Sequence, residues 1–88
     1  MSYEADTLAT DRVIPLVHRL LTERSITASV SADDDLRAIG LTSLDMVALV
    51  LSVEAEFDLQ IPETAITPSN FRTVSSINAL IQSLRSKS

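Results

Sequence analysis

Apolar residues recur at the three- and four-residue spacing of an α-helix over most of this chain, which predicts an all-α protein. The first helical segment is marked by four of them: Val13, Val17, Leu20 and Leu21. Thr10 or Asp11 is the expected cap, and the helix should end near Glu23 or Arg24. Pro15 complicates the start of this helix, because proline is tolerated in or near the first turn but would kink a helix that began much earlier, near Glu4 or Thr7.

The helical pattern stops between residues 25 and 41. This connection exceeds the roughly 12 to 15 residues beyond which loops are usually functional or disordered. Four apolar residues predict that it is attached to the core: Ile26, Val30, Leu36 and Ile39. The three acids at positions 33–35 lack the alternate spacing, the glycine and the distal glutamate of a calcium-binding loop, so we interpret them as a solvated acidic turn.

A second helix is predicted from Ser43 to Phe57 or Asp58. Its start has the spacing of a capping box, with Thr42 as the cap and Asp45 three residues later. This arrangement leaves Ser43 in the first turn. The alternative is that Ser43 is itself the cap, since serine is common at that position.

Two apolar stripes run along nearly opposite sides of this helix. The first stripe consists of Met46, Leu49, Val50, Val53 and Phe57, and the second of Leu44, Val47, Ala48, Leu51 and Ala55. Either the helix is central in a bundle and buries both stripes, or the second stripe is exposed and contacts other proteins. The sequence leaves both possibilities open.

The last third of the chain predicts two more helices. Thr67 and Pro68 match a cap and a first helical position, which predicts a short helix that ends near Phe71. The final helix should begin at about Thr73, and its apolar residues keep helical spacing to Leu84. The predicted fold is therefore a four-helix bundle with three longer helices and one short helix.

Composition removes most kinds of chemistry from this chain. Its 88 residues include no Cys, no Trp, one Gly and one His, so it cannot build a thiol nucleophile, a Cys/His metal site or a glycine-rich phosphate loop. We interpret the one histidine, His18, as an ordinary surface or half-buried side chain. The length predicts a single domain over residues 1–88 with frayed ends at 1–6 and 86–88.

The longest apolar run, residues 46–51, is far shorter than the ~20 residues that span a bilayer, and the N-terminus lacks a signal-peptide pattern. We therefore expect a cytoplasmic protein with no membrane span. Charge is distributed unevenly: eight acids and one base between Asp33 and Glu63 give −7, and four acids and six bases elsewhere give +2. This acidic segment disfavours nucleic acid as a ligand and favours basic protein surfaces.

Ser43 lies within the acidic segment, yet the unpaired N–H groups and positive dipole at a helix start would favour a phosphodiester on its hydroxyl. The surrounding residues resemble the acyl carrier proteins, a family that includes peptidyl and aminoacyl carrier proteins. The resemblance rests on residues 36–45, Val47, Leu49, Val50, residues 54–58, Ile61, Pro62, residues 71–74 and Ile77. Residues 1–30 are similar to the family only in their helical pattern.

The resemblance implies an acyl-carrier-protein-like four-helix bundle with no catalytic activity of its own. It also implies that Ser43 is the attachment site of 4′-phosphopantetheine, which a phosphopantetheinyl transferase takes from coenzyme A. The thiol of this arm would carry an acyl or aminoacyl group from an activating ligase to a downstream acyltransferase or synthase. We further expect a free-standing monomer, and we predict that its partners contact six residues near the arm: Thr42, Leu44, Asp45, Val47, Leu51 and Glu54.

Two departures from the family pattern concern the subclass. Thr42 stands where the family commonly has Asp, and Ala48 and Ala55 stand where carriers of fatty acid synthesis often have Glu. These differences suggest a specialised carrier with dedicated partners, while the carried group stays open. Two other hypotheses are an interaction module that receives no phosphopantetheine and a small hydrolase that uses Ser43 with His18.

Overall fold

Four α-helices and one 3₁₀ turn make up the fold. The computed structural model describes the backbone of residues 2–86 and the side chains of residues 12–86. The helices are α1 (Ser2–Glu23), α2 (Leu36–Ile39), α3 (Ser43–Phe57) and α4 (Val74–Ser86), with the 3₁₀ turn at Glu63–Ala65. The predicted all-α class with three longer helices and one short helix is confirmed.

Helix α1 ends at Glu23, as predicted, but its predicted start at residue 10 or 11 is wrong because the helix already begins at Ser2. Pro15 therefore lies inside the helix and removes one backbone hydrogen bond from it. The proline side chain is exposed, whereas Val13 and Val17 on either side are fully buried. Packing of these neighbours supports the helix through the proline, which sequence pattern alone did not anticipate.

The core lies between α1, α3 and α4, and α1 packs against both of the other two helices. The fully buried side chains with the largest volumes come from these three helices and from α2: Leu21, Leu36, Leu49, Ile77, Ile81, Val13, Val17, Val53 and Val74. The last helix, α4, faces the core through part of its apolar spacing, because Val74, Ile77 and Ile81 are all buried. The burial of apolar surface is therefore the main force that holds α3 in place.

The connection between α1 and α3 is attached to the core, as predicted. Leu36 is fully buried, and Ile26, Val30 and Ile39 pack against the core. The sequence analysis missed α2, which is too short to show a helical period. Its cap is Asp35, whose carboxylate accepts hydrogen bonds from the N–H groups of the next turn.

Gly40 ends α2 with φ of 129°, a conformation that favours glycine. The one glycine of the chain is therefore favoured by its backbone conformation, and a Cβ atom there would also lie 3.0 Å from Ile26 Cδ1, so that the end of this side chain would have to shift. The N–H of Leu36 also donates to the carbonyl of Arg72 at 2.8 Å, and that of Ser75 donates to Ala32 at 2.9 Å. These bonds hold α2 against the start of α4.

The short helix predicted to end near Phe71 is wrong, because residues 67–71 form a turn. The predicted cap is nevertheless present, since the Thr67 hydroxyl accepts the N–H of Asn70 at 3.2 Å. A new cap occurs at Thr73, whose hydroxyl accepts the N–H of Ser76 at 3.0 Å. The chain therefore starts α4 at Val74 after a single turn, which agrees with the predicted start of the last helix.

None of the helices within residues 2–86 combines the length and apolar character needed to cross a membrane. The described side chains share one hydrophobic cluster. The single domain over residues 1–88 stays a prediction, as does the fraying of its ends. Residues 2–6 and 86 are helical, while residues 1, 87 and 88 lie outside the described part of the chain.

Two leucines two positions apart on α3 test this arrangement. Leu49→Ala should lower the free energy of unfolding by about 2 to 5 kcal/mol, because Leu49 is fully buried and truncation leaves a cavity. Leu51→Ala, at a side chain that is 61% exposed, should change it by no more than about 0.5 kcal/mol. Urea unfolding followed by circular dichroism measures both, and similar losses in the two variants would contradict the orientation of α3.

Candidate functional site

Thr42 caps α3 and leaves Ser43 as the first helical residue, as the capping pattern predicted. The Thr42 hydroxyl accepts the N–H of Asp45 at 3.3 Å, and the Asp45 carboxylate accepts the N–H of Thr42 at 2.8 Å. The alternative in which Ser43 is itself the cap is wrong. Ser43 is exposed, and its hydroxyl has no hydrogen-bond partner among the described residues, so it is available for modification.

Asp45 is the one buried charged residue in the described part of the chain, with 6% of its surface exposed. Arg24, just beyond the end of α1, donates a hydrogen bond from Nε to Oδ1 of this carboxylate at 2.9 Å, and its Nη2 lies 2.9 Å from the same oxygen as an ion pair. The other carboxylate oxygen accepts the Thr42 hydroxyl at 3.0 Å as well as the Thr42 N–H. Each oxygen of the buried charge is thus satisfied, as burial of a charge requires.

Burial of Asp45 raises the pKa of its carboxyl, but the opposing effects are larger in total. The Thr42 N–H and hydroxyl and the Arg24 guanidinium all stabilise the ionised carboxylate, so its pKa lies below the usual value. Asp45 therefore remains charged at neutral pH. The network of Arg24, Thr42 and Asp45 links the end of α1 to the start of α3.

A small cleft of about 160 Å³ lies next to Ser43. Its lining comes from α2, the first turns of α3 and the loop before α4: Arg37, Ser43, Met46, Val47, Ile66, Thr67, Pro68 and Phe71. Most of these side chains are apolar, and Arg37 places a cation at the edge of the same cleft. The site therefore combines a free hydroxyl, an apolar recess and a positive charge.

The second apolar stripe of α3 is exposed at its large side chains, which decides between the two arrangements left open by the sequence. Leu44, Val47 and Leu51 are 77%, 54% and 61% exposed, respectively. The first stripe instead faces the core through side chains such as Leu49 and Val53. The exposed residues follow Ser43 along one side of α3 and form an apolar surface of the kind that contacts proteins.

Two of the six residues predicted to contact partners have structural roles. The expectation for Asp45 is corrected, because its carboxylate is buried in the network with Arg24 and offers a partner little surface. Glu54 is partly buried, and its carboxylate accepts the N–H of Ile61 at 2.8 Å, which fixes the loop after α3. Contact with partners stays a prediction for Thr42 and for the exposed apolar stripe.

The acids at 33–35 form an ordered part of the connection. Ser75 donates its hydroxyl proton to Asp33 at 3.0 Å, and the N–H of Ser31 donates to Asp34 at 2.9 Å. Asp35 caps α2 and lies 3.4 Å from Arg72 Nε. Their main role here is to hold the turn and not simply to face solvent. Over the described residues, no group of three or more His, Asp or Glu residues is arranged to hold a metal ion.

The structure does not bring His18 and Ser43 together. His18 is exposed, as predicted, and lines a cleft with Thr22 and Ile26 near the end of α1. Ser43 lies in a different cleft with Arg37. A nucleophile needs its base within hydrogen-bond reach, so this geometry does not support a hydrolase built on these two residues.

Sequence reasoning missed Arg24 and Arg37. Nothing in the local sequence links Arg24 to Asp45, because the two lie 21 positions apart and meet only when α1 packs on α3. Arg37 did carry a signal, since it is the one base among the nine charged residues between Asp33 and Glu63. A single base within an acidic segment departs from the local charge pattern, which indicates a candidate functional residue.

Comparison with known proteins identifies similar chains. The model of the phosphopantetheine attachment site family matches residues 12–84. Aminoacyl carrier proteins 1 and 2 of Bradyrhizobium diazoefficiens are 44% and 45% identical over 71 residues, which is 81% of this chain and 79% and 80% of theirs.

Two solved structures are also similar. A chain in the crystal structure of Bradyrhizobium japonicum glycine:[carrier protein] ligase with glycylated carrier protein has a TM-score of 0.70 and 44% identity. The match covers 81% of this chain and 96% of that chain. A chain in the complex of this ligase with its cognate carrier protein and an analogue of glycyl adenylate has a TM-score of 0.72 and 42% identity. This match covers 84% of this chain and 96% of that chain.

The lowered pKa of Asp45 predicts a pH-dependent contribution to stability. The contribution is complete above the unfolded carboxyl pKa of about 3.9 and is lost as pH falls through the lower pKa of the folded state. Asp45→Asn should lower the free energy of unfolding by about 1 to 3 kcal/mol at neutral pH. The NH2 group of the asparagine side chain is a hydrogen-bond donor and would face the donors of Arg24 or Thr42. The difference in the free energy of unfolding between wild type and Asp45→Asn should become smaller as the pH falls into the acid range.

Urea unfolding at a series of pH values measures this difference. Asp58→Asn is the control, because Asp58 is exposed at the opposite end of α3 and asparagine tolerates its left-handed conformation. If the free energies of unfolding of wild type and Asp45→Asn change in parallel with pH, the charge of the buried carboxylate does not contribute to stability.

Proposed function

Since the chain belongs to the phosphopantetheine attachment family of carrier proteins, we propose that Ser43 is its attachment site and that the carried group is an amino acid. The prosthetic group of this family is 4′-phosphopantetheine, which supplies the thiol that the chain lacks. The protein is a carrier and not an enzyme. Its cargo is held as a thioester on the arm and is passed between enzymes.

The free hydroxyl of Ser43 is the observation that carries the proposed attachment site. Thr42 performs the capping, so modification of Ser43 leaves the hydrogen bonds of the cap intact. The first turn of α3 also presents unpaired N–H groups and a positive dipole, which favour the negative phosphodiester. The hydroxyl of Thr42 is occupied by Asp45 and Arg24, which makes it a poor alternative.

An amino acid as cargo is supported by the relatives. The two curated relatives are named aminoacyl carrier proteins, and the similar solved structures are complexes of a glycine:[carrier protein] ligase.

We further propose that an amino-acid-activating ligase docks on the apolar stripe of Leu44, Val47 and Leu51. These side chains are exposed next to the attachment site, where a partner must approach the arm. The exposed Ala55 extends the stripe where a glutamate would add charge. A phosphopantetheinyl transferase and a downstream acyltransferase are the other expected partners. The cytoplasmic location and the monomeric state stay predictions from the sequence.

Modification in vitro tests the attachment site. Incubation of the purified protein with coenzyme A, magnesium and a broad-specificity phosphopantetheinyl transferase should raise its intact mass by one phosphopantetheine. Ser43→Ala should abolish the increase while its helical circular dichroism stays nearly unchanged, because Thr42 still caps α3. A Ser52→Ala control should be modified like wild type, since the Ser52 hydroxyl is bonded within α3.

If Ser43→Ala still gains the mass of phosphopantetheine, the attachment site is a residue other than Ser43. A wild-type protein that stays at its original mass would instead favour the interaction module that receives no phosphopantetheine.

Loading kinetics test the docking surface. Leu51→Asn should lower kcat/KM for ligase loading about tenfold, since removal of a central contact typically costs more than about 1 kcal/mol of binding energy. Ala79→Asn is the control, because Ala79 is exposed on α4 outside the stripe. If Leu51→Asn and Ala79→Asn are equally stable and are loaded with equal kcat/KM, the ligase binds a different surface of the protein.

A further inference from the structure

We propose that the guanidinium of Arg37 binds the phosphodiester that links the prosthetic group to this domain, and that it directs the first part of the arm into the cleft. This inference rests on Ser43 as the attachment site. It assigns a ligand to the one cation of the acidic segment, and it gives the domain a defined contact with its own prosthetic group.

Arg37 and Ser43 line the same cleft, which is the first observation. Arg37 is exposed, and its guanidinium is in none of the ion pairs found among the described side chains. Three other arginines each pair with a carboxylate: Arg12 with Glu56 at 2.8 Å, Arg24 with Asp45 at 2.9 Å and Arg72 with Asp35 at 3.4 Å. The Arg37 guanidinium thus has no carboxylate within ion-pair distance among the described side chains, although the segment around it has a net charge of −7.

The backbone that presents Arg37 is held firmly. Asp35 caps α2 by accepting the N–H of Arg37 at 3.0 Å, and the neighbouring Leu36 is fully buried. Gly40 then turns the chain toward Thr42 while packing closely on Ile26. A cation on such a short, fixed element loses little backbone entropy when it binds an anion nearby.

Arginine suits this ligand chemically. Its planar fork donates two parallel hydrogen bonds to the oxygens of a phosphate group, and the charge makes these bonds stronger than neutral ones. A phosphodiester on Ser43 presents two such oxygens and one negative charge. Arg72 is a weaker candidate, because it is already paired with Asp35 and lines only the adjoining cleft, whereas Arg37 lines both that cleft and the cleft of Ser43.

The lining beyond Arg37 fits the part of the arm that adjoins the phosphate. This part of pantetheine begins with a branched carbon that carries two methyl groups, and a hydroxyl and an amide come after it. Met46, Val47, Ile66 and Phe71 provide an apolar lining, and the cleft volume of about 160 Å³ matches a group of that size. The cleft therefore fits the start of the arm and leaves the distal thiol and its cargo outside for other enzymes.

Nuclear magnetic resonance of the modified protein tests this inference without any enzyme assay. Wild type, Arg37→Gln and the control Arg19→Gln are each converted with coenzyme A and a phosphopantetheinyl transferase, and the mass of each product is confirmed. Arg19 is a matched control, because it is also exposed but lines a separate groove with Leu51 and Glu56. The ³¹P resonance and contacts of the arm methyl groups with Met46 and Ile66 are then recorded.

Arg37→Gln should shift the ³¹P resonance and remove the contacts between the arm methyl groups and the cleft, while Arg19→Gln should match wild type. Rising salt should move the wild-type resonance toward that of Arg37→Gln, since the Debye length falls from about 30 Å at ~0.01 M to about 3 Å at ~1 M. Identical ³¹P resonances in all three modified proteins would overturn the inference and leave the proposed function standing. Failure of wild type to gain the mass of the arm would overturn both.

Discussion

A buried carboxylate fixes the geometry on which the site depends. Asp45 completes the capping box of α3 while Arg24 reaches it from the end of α1, so one charge joins the two helices and favours the rotation of α3 that apolar packing also requires. Leu49 is thereby turned into the core and Leu51 toward solvent. Because Thr42 does the capping, Ser43 begins the helix with a free hydroxyl. The same hydrogen bonds that stabilise the fold thus define which residue is exposed for modification.

The local parts of the structure could be predicted from sequence because they depend on short-range chemistry. The capping box at Thr42 and Asp45 and the extent of α3 both arise from side-chain and backbone interactions within a few residues. The start of α1 could not be predicted in this way. Its continuation through Pro15 depends on burial of the neighbouring valines against other helices, which a local pattern does not contain.

The candidate site also combines features that the local sequence predicts with features that depend on tertiary packing. The position of Ser43 could be inferred from the capping pattern and from the resemblance, whereas the buried state of Asp45 required its partner Arg24, 21 positions away. The exposure of Leu44 also depends on how α3 is rotated against α1 and α4. Helical periodicity places two apolar stripes on α3, but only tertiary packing decides which stripe is covered.

A chain with no cysteine and one histidine can act as a carrier because the reactive group belongs to the arm. The most direct measurement is fragmentation of the modified protein after trypsin digestion. Cleavage after Arg37 and Arg72 releases residues 38–72, a peptide that contains Thr42, Ser43 and the other hydroxyls of this region. Electron-transfer fragmentation should locate the added phosphopantetheine on Ser43. A modification found on Thr42 or elsewhere in the chain would contradict the account.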